Sequence, residues 1–147
     1  MANLWREMLY STYSTNFDDF FITSIGGDAQ TTHEFWGILR NFEFISVGGC
    51  QQEVNPNDEI LFAFDAFNKD HFLKLTGPGT AKVGQPVTFT VTDGHASGSP
   101  VAGAVVNGNT SGANGEVSVT FTQTGSTEMK ATKSDSIRSN KVTVVVS

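Results

Sequence analysis

From residue 80 onward the chain alternates apolar and polar residues with a period of two, and this period decides what the second half can become. Val87, Phe89 and Val91 share one side of the run 87–92, Val117, Val119 and Phe121 share one side of 117–121, and Lys141–Val146 ends the chain in the same manner. Successive side chains of a strand point to opposite faces, so the pattern predicts strands with one buried and one wet face. A helix would scatter the same residues around its circumference. Between the runs stand Gly84-Gln85-Pro86, Asp93-Gly94, Asn107-Gly108 and Asn114-Gly115, supplying residues that tolerate positive φ. Short strands separated by such turns predict a β-sandwich.

The first half is built from different material. Residues 1–72 carry eleven acids against Arg6, Arg40 and Lys69, a balance of -8, whereas 73–147 stand at +2. Of the sixteen aromatics only Phe89 and Phe121 lie in the second half. This asymmetry predicts two domains, 1–72 and 73–147. Within the first, Leu4–Leu9 reads as a short helix, while 20–25, 34–40, 42–47 and 59–67 read as strands. Asn41 and Asn55-Pro56-Asn57-Asp58 supply turns. A short helix with antiparallel strands is an α+β layer, so the expected class is mainly β: a small α+β domain followed by a sandwich.

Several functions are disfavoured by composition. No apolar stretch approaches the ~18 residues of a membrane-spanning helix, so no membrane span is expected. Nine basic residues without a cluster give phosphates little to bind, so no nucleic-acid partner is expected. Cys50 is the only cysteine, which excludes an intramolecular disulfide. It reads as a small buried hydrophobe, as half of an intermolecular bridge, or as the orphan of a lost disulfide. The first residues, Met1-Ala-Asn-Leu-Trp-Arg, lack the charged and apolar regions of a signal peptide. The sequence therefore fits a cytoplasmic protein or one whose leader has been removed.

The residues that could carry chemistry are His33-Glu34, Asp65, Asp70-His71 and Asp18-Asp19. None shows metal-ligand spacing, and no Gly-x-Ser-x-Gly, His-Glu-x-x-His or phosphate-cradling loop occurs. Asp18-Asp19 reads as a cap at the start of a segment, His95 as an exposed loop residue, and Gly77-Pro78-Gly79 as the linker between domains. No catalytic residue, metal or cofactor is expected. The aromatics offer more. Trp36 and most of the phenylalanines read as core, and Trp5, Tyr10 and Tyr13 as a surface able to stack on sugar rings. Asn109-Thr110-Ser111 has the form of a glycosylation acceptor.

Two segments resemble known families. Val83-Gly84-Gln85-Pro86-Val87, Pro100-Val101-Ala102-Gly103-Ala104, Ala113-Asn114-Gly115-Glu116-Val117 and Lys130-Ala131-Thr132-Lys133 resemble bacterial-type Ig-like domains. That resemblance implies an immunoglobulin-like fold outside the cell, serving as a spacer or adhesive module. Phe35-Trp36-Gly37-Ile38-Leu39-Arg40-Asn41, Val47-Gly48-Gly49-Cys50-Gln51-Gln52 and Asn57-Asp58-Glu59-Ile60-Leu61-Phe62 resemble, over 17–72, a domain of unknown function related to the C-terminal domain of transcobalamin. It implies a β-grasp-like fold and a secreted fungal or actinobacterial protein. Its members begin with further strands and often carry an upstream cysteine able to pair at the position of Cys50. Both are missing here, which leaves three outcomes: a truncated product, a layer rebuilt from 1–16, or a sheet completed in a homo-oligomer. No cobalamin-binding residue carries over. The reading that results is a secreted, non-enzymatic surface protein recognising cell-wall glycan or a host receptor, with an immunomodulatory or lectin-like role as a variant. The alternative is a protein that self-associates through a sheet edge into dimers or fibres.

Overall fold

The alternating runs of the second half become the strands of a sandwich. A computed structural model describes residues 9–95 and 98–147, and the chain divides into two compact units, 1–68 and 69–147. In the second unit β7 (His71–Thr76), β9 (Pro86–Asp93), β12 (Glu116–Thr120) and β15 (Ser136–Ile137) form one sheet, ordered β12-β9-β7-β15. β8 (Thr80–Ala81), β13 (Gly125–Met129) and β16 (Val142–Val146) form another, in which β8 runs parallel to β16. A third joins β10 (Val105–Val106), β11 (Asn109–Thr110) and β14 (Ala131–Thr132). The architecture is mainly β and matches an Ig-like sandwich.

The faces are those the alternation requires. Phe89, Val91, Val117, Val119, Phe121, Val144 and Val146 are buried, and with Leu73, Leu75, Val106, Met129 and Ala131 they form one core cluster. Asn107 and Gly108 both take positive φ, 47° and 79°, closing the two-residue hairpin in which Val106 faces Asn109. This is the turn an Asn-Gly pair favours. Gly77-Pro78-Gly79 is not a linker between domains. It lies inside the second unit and carries the chain from β7 in one sheet to β8 in another. A Cβ at Gly77 would strike the buried Phe89 ring, which explains why glycine stands there.

The first unit is two small sheets. β1 (Leu9–Ser14), β2 (Asp19–Ile25) and β3 (Asp28–Ala29) form one, ordered β1-β2-β3. β4 (Trp36–Arg40), β5 (Glu43–Phe44) and β6 (Ile60–Phe64) form the other, ordered β5-β4-β6. The described part of this unit holds strands and one 3-10 turn at Ala66–Asn68. The helix expected at Leu4–Leu9 falls on residues 4–8, outside the described residues, and Leu9 opens β1. The strand expected over 42–47 shrinks to Glu43–Phe44. Leu9–Ser14, part of the stretch 1–16 considered for rebuilding the layer, pairs antiparallel with β2.

Burial in this unit is thin. Its buried apolar residues are Leu39, Phe42, Ala63 and Ala66 among those described, while eight aromatics are exposed. The β4–β5 hairpin turns through Asn41 and Phe42, with φ of 54° and 69°. Positive φ is costly for a bulky residue, and here the Phe42 ring is buried in return. Asn41 secures the turn further: its Nδ2 donates to Asp58 Oδ1 at 2.7 Å and its Oδ1 accepts from the Glu59 N–H at 2.9 Å.

The core assignment predicts that Phe89→Ala lowers the stability of the sandwich by about 3–5 kcal/mol. The effect should appear as a lower denaturant midpoint at unchanged slope; an unmoved midpoint would place the core elsewhere.

Candidate functional site

The first unit concentrates both the exposed aromatics and the unusual polar geometry. β1 and β2 pair from Leu9↔Ile25 to Ser14↔Asp19, joined by the loop 15–18, with an irregularity between Tyr10 and Ser11. Directly opposed residues share a face, so Tyr13 lies over Phe20, ring centroids 5.2 Å apart and planes tilted by 59°. The Tyr13 hydroxyl donates to Asp18 Oδ1. That bond does most to push its pKa up, followed by burial and the charge of Asp19.

Of the proposed stacking surface, Trp5 lies outside the described residues. Tyr10 and Tyr13 are both exposed, at 52% and 47%, and stand three residues apart on β1, with the irregularity between Tyr10 and Ser11 separating them. Tyr13 is paired with Phe20, which is 48% exposed. Trp36 is half-buried, and its indole N–H donates to the Asp28 carbonyl at 2.9 Å. Asn109 sits exposed on β11, with Nδ2 donating to the Asn107 carbonyl at 3.1 Å.

Asp19 is the residue whose surroundings the sequence conceals. It is 2% exposed although charged. Its Oδ1 accepts from the Phe20 N–H at 2.7 Å and from the Cys50 N–H, thirty-one positions away, at 3.3 Å. Its Oδ2 is buried and has no hydrogen-bond partner among the described residues. The Phe20 N–H does most to hold the carboxyl below the usual range; burial opposes this, and the Cys50 amide and thiol and the Gln51 amide add to the lowering. A Cβ on Gly48 would collide with Oδ2, so glycine is required where the loop meets the carboxylate. Gln51 fastens the other end, its Nε2 donating to the Phe17 carbonyl at 3.2 Å. Cys50 is exposed and free. The Asp19 carboxylate pushes its thiol pKa up through hydrogen bonding, with burial second. The thiolate is the species that forms disulfides, so this neighbour slows the intermolecular bridging considered for Cys50.

Two adjoining hollows flank this junction. One, of about 170 Å³, is apolar, with Phe21, Ile38, Phe44, Val47 and Phe67 in its wall. The Phe44 and Phe67 rings lie parallel within 8°, centroids 4.6 Å apart. The second, of about 390 Å³, is lined by Phe17, Asp19, Phe21, Ile45, Val47 and Gly48, with Ser46 and Gln51.

The remaining polar candidates serve local structure. Thr31 Oγ1 accepts from the Glu34 N–H at 3.1 Å and donates to Glu34 Oε2 at 3.1 Å, closing the turn around His33. In the second unit His71 Nδ1 lies 2.7 Å from Oδ2 of the buried Asp93. Asp93 Oδ1 also accepts from the Phe72 N–H at 3.3 Å and the His95 N–H at 3.0 Å, so it caps the loop after β9. Among the described residues no three His, Cys, Asp or Glu side chains gather where they could hold a metal.

The lowered pKa of Asp19 gives a pH test. A carboxyl depressed in the folded state stabilises it above the ordinary aspartate pKa of about 3.9, and that contribution is lost as the pH falls below this value through the folded one. Asp19→Asn should flatten the acid limb of the first unit's stability between pH 5 and pH 2 and should speed alkylation of Cys50 at neutral pH. An unchanged acid limb together with unchanged alkylation would contradict the assigned role of Asp19.

No curated protein and no solved structure matches the chain. Residues 5–66 match the family described as Domain of unknown function (DUF4430), a span that takes in β1 as well as Asp19, Gly48 and Cys50.

Proposed function

We propose that this protein is a non-enzymatic binding protein acting at a cell surface or in the extracellular space, with the first unit as the recognition domain and the Ig-like unit as its carrier. One observation supports this above all. The eight exposed aromatics, Tyr10, Tyr13, Phe17, Phe20, Phe21, Phe35, Phe62 and Phe67, all lie in the first unit, whereas the second exposes only Val83, Val105 and Val145 among its described large hydrophobics. Both units come from one chain under one solvent, yet only one leaves rings in water. Exposed apolar surface of this kind marks interaction sites. The target classes are a cell-wall glycan, stacked on the Tyr13–Phe20 pair, or a protein receptor. The exposed Asn109 and the Ig-like resemblance favour secretion.

The test is retention on chitin, β-glucan, cellulose and starch at two salt concentrations. Selective, salt-tolerant retention on one polymer, weakened about tenfold, or ~1.4 kcal/mol, by Phe20→Ala or Tyr13→Ala, is the expected glycan result. Retention on none would leave the receptor as the target.

A second reading is self-association. β1, with sequence Leu-Tyr-Ser-Thr-Tyr-Ser, is the edge of the described sheet and has neither charge nor proline. Natural edge strands are usually guarded by such residues, and unguarded ones recruit further strands. Sedimentation should then show mass rising with concentration and Thr12→Lys reducing it; a strict monomer at high micromolar concentration removes this reading.

A further inference from the structure

We infer that the hollow between β2 and the 45–51 loop binds an organic cation: an ammonium group carried on one aromatic ring or a short aliphatic body. This goes beyond polymer or receptor recognition, since Tyr13 has no part in it. The argument begins with the orphan oxygen. A buried carboxylate oxygen without a donor is rare in folded proteins and asks for a missing partner. Asp19 and Gly48 both line the larger hollow, and Oδ2 meets the loop where Gly48 carries no side chain.

The rest of the wall selects the kind of cation. Phe17 and Phe21 pack edge to face at 5.5 Å, and Phe17 is 67% exposed. Ring faces attract a cation, the more so when it is desolvated. A metal ion would need several oxygen ligands, and no such group of side chains exists among the described residues. A sugar would need hydrogen-bond partners, but the Gln51 and Trp36 N–H groups beside the hollows already donate to main-chain carbonyls. The adjoining apolar hollow shares Phe21, Ile45, Val47 and Gly48 with the larger one, and its volume of about 170 Å³ is close to that of cavities that accept benzene. A ring there would place its ammonium group next to Asp19. Residues 1–68 also hold ten acids against Arg6 and Arg40, a surplus that raises the local concentration of cations.

The experiment titrates the full chain with 2-phenylethylammonium, 2-phenylethanol and phenylacetate, following amide NMR signals. The ammonium should bind about tenfold more tightly than the alcohol, phenylacetate should bind more weakly than either, and the shifts should centre on Phe21, Val47, Gly48 and Cys50. Added salt should erode the preference. Asp19→Asn should bring the ammonium and the alcohol to similar affinities while the alcohol still binds, and Val47→Phe should abolish both by filling the hollow. If Asp19→Asn fails to fold, Phe17→Ala serves instead, costing the ammonium several-fold and the alcohol less. Equal binding of ammonium and alcohol to the unaltered chain, shifts centred elsewhere, equal losses in Phe17→Ala, or no saturable binding would each overturn the proposal. Because the probes carry no sugar and the readout needs no polymer, failure here is distinguishable from failure of glycan retention.

Discussion

The arrangement of the first unit depends on one carboxylate. Asp19 opens β2 and reaches across to the Cys50 amide, joining two stretches of chain that no ladder of strand hydrogen bonds connects at that point. A charge removed from water is costly unless its lone pairs are met. Asp19 meets part of that cost through the Phe20 and Cys50 amides and leaves one oxygen unmet. The hollows exist because the loop is held there. Glycine at position 48 follows from the same requirement, since any side chain would drive the loop off the carboxylate.

The two units solve the burial problem differently. The second encloses a cluster from Leu73 to Val146 around Phe89 and spends its turn residues where positive φ is needed. The first owns most of the aromatic surface of the chain and buries little of it. Hydrophobic stabilisation scales with the area removed from water, so the richer composition does not make the sturdier unit. Its order rests to a greater degree on polar fastenings: Asp19 to the 48–51 turn, Gln51 to the Phe17 carbonyl, and Asn41 to Asp58 and Glu59.

The sandwich was legible in advance because its signals are local. Alternation at 87–91 and 117–121 names the buried face without reference to the rest of the chain, and Asn107-Gly108 names its own turn. In the first unit the strands around Phe20, Ile38 and Leu61 were legible for the same reason. The site was less so. The phenylalanines of a small unit read as core, but burial also needs a facing layer, and sequence does not say whether one exists. The contact from Asp19 to Cys50 joins residues far apart in the chain, and no spacing rule records it. The Gly48-Gly49 pair was the one available sign that a backbone must approach something closely there. Reading Gly77-Pro78-Gly79 as a linker failed because crossing between sheets and crossing between domains call for the same turn residues.

The Asn41–Phe42 turn bears on how the first unit assembles. An Asn-Gly pair would let the β4–β5 hairpin close on local preference alone. With Phe42 at φ 69° the turn is locally unfavourable, and what offsets it is burial of the ring together with the Asp58 and Glu59 contacts to Asn41. All of that arrives only when the 55–60 segment comes back beside β4. The hairpin is thus a poor starting point for folding, and closure of the longer loop between β4 and β6 has to come with it or before it. Contacts distant in sequence form slowly, so the Asn41–Phe42 turn is fixed only once this unit's own longer-range pairing is in place.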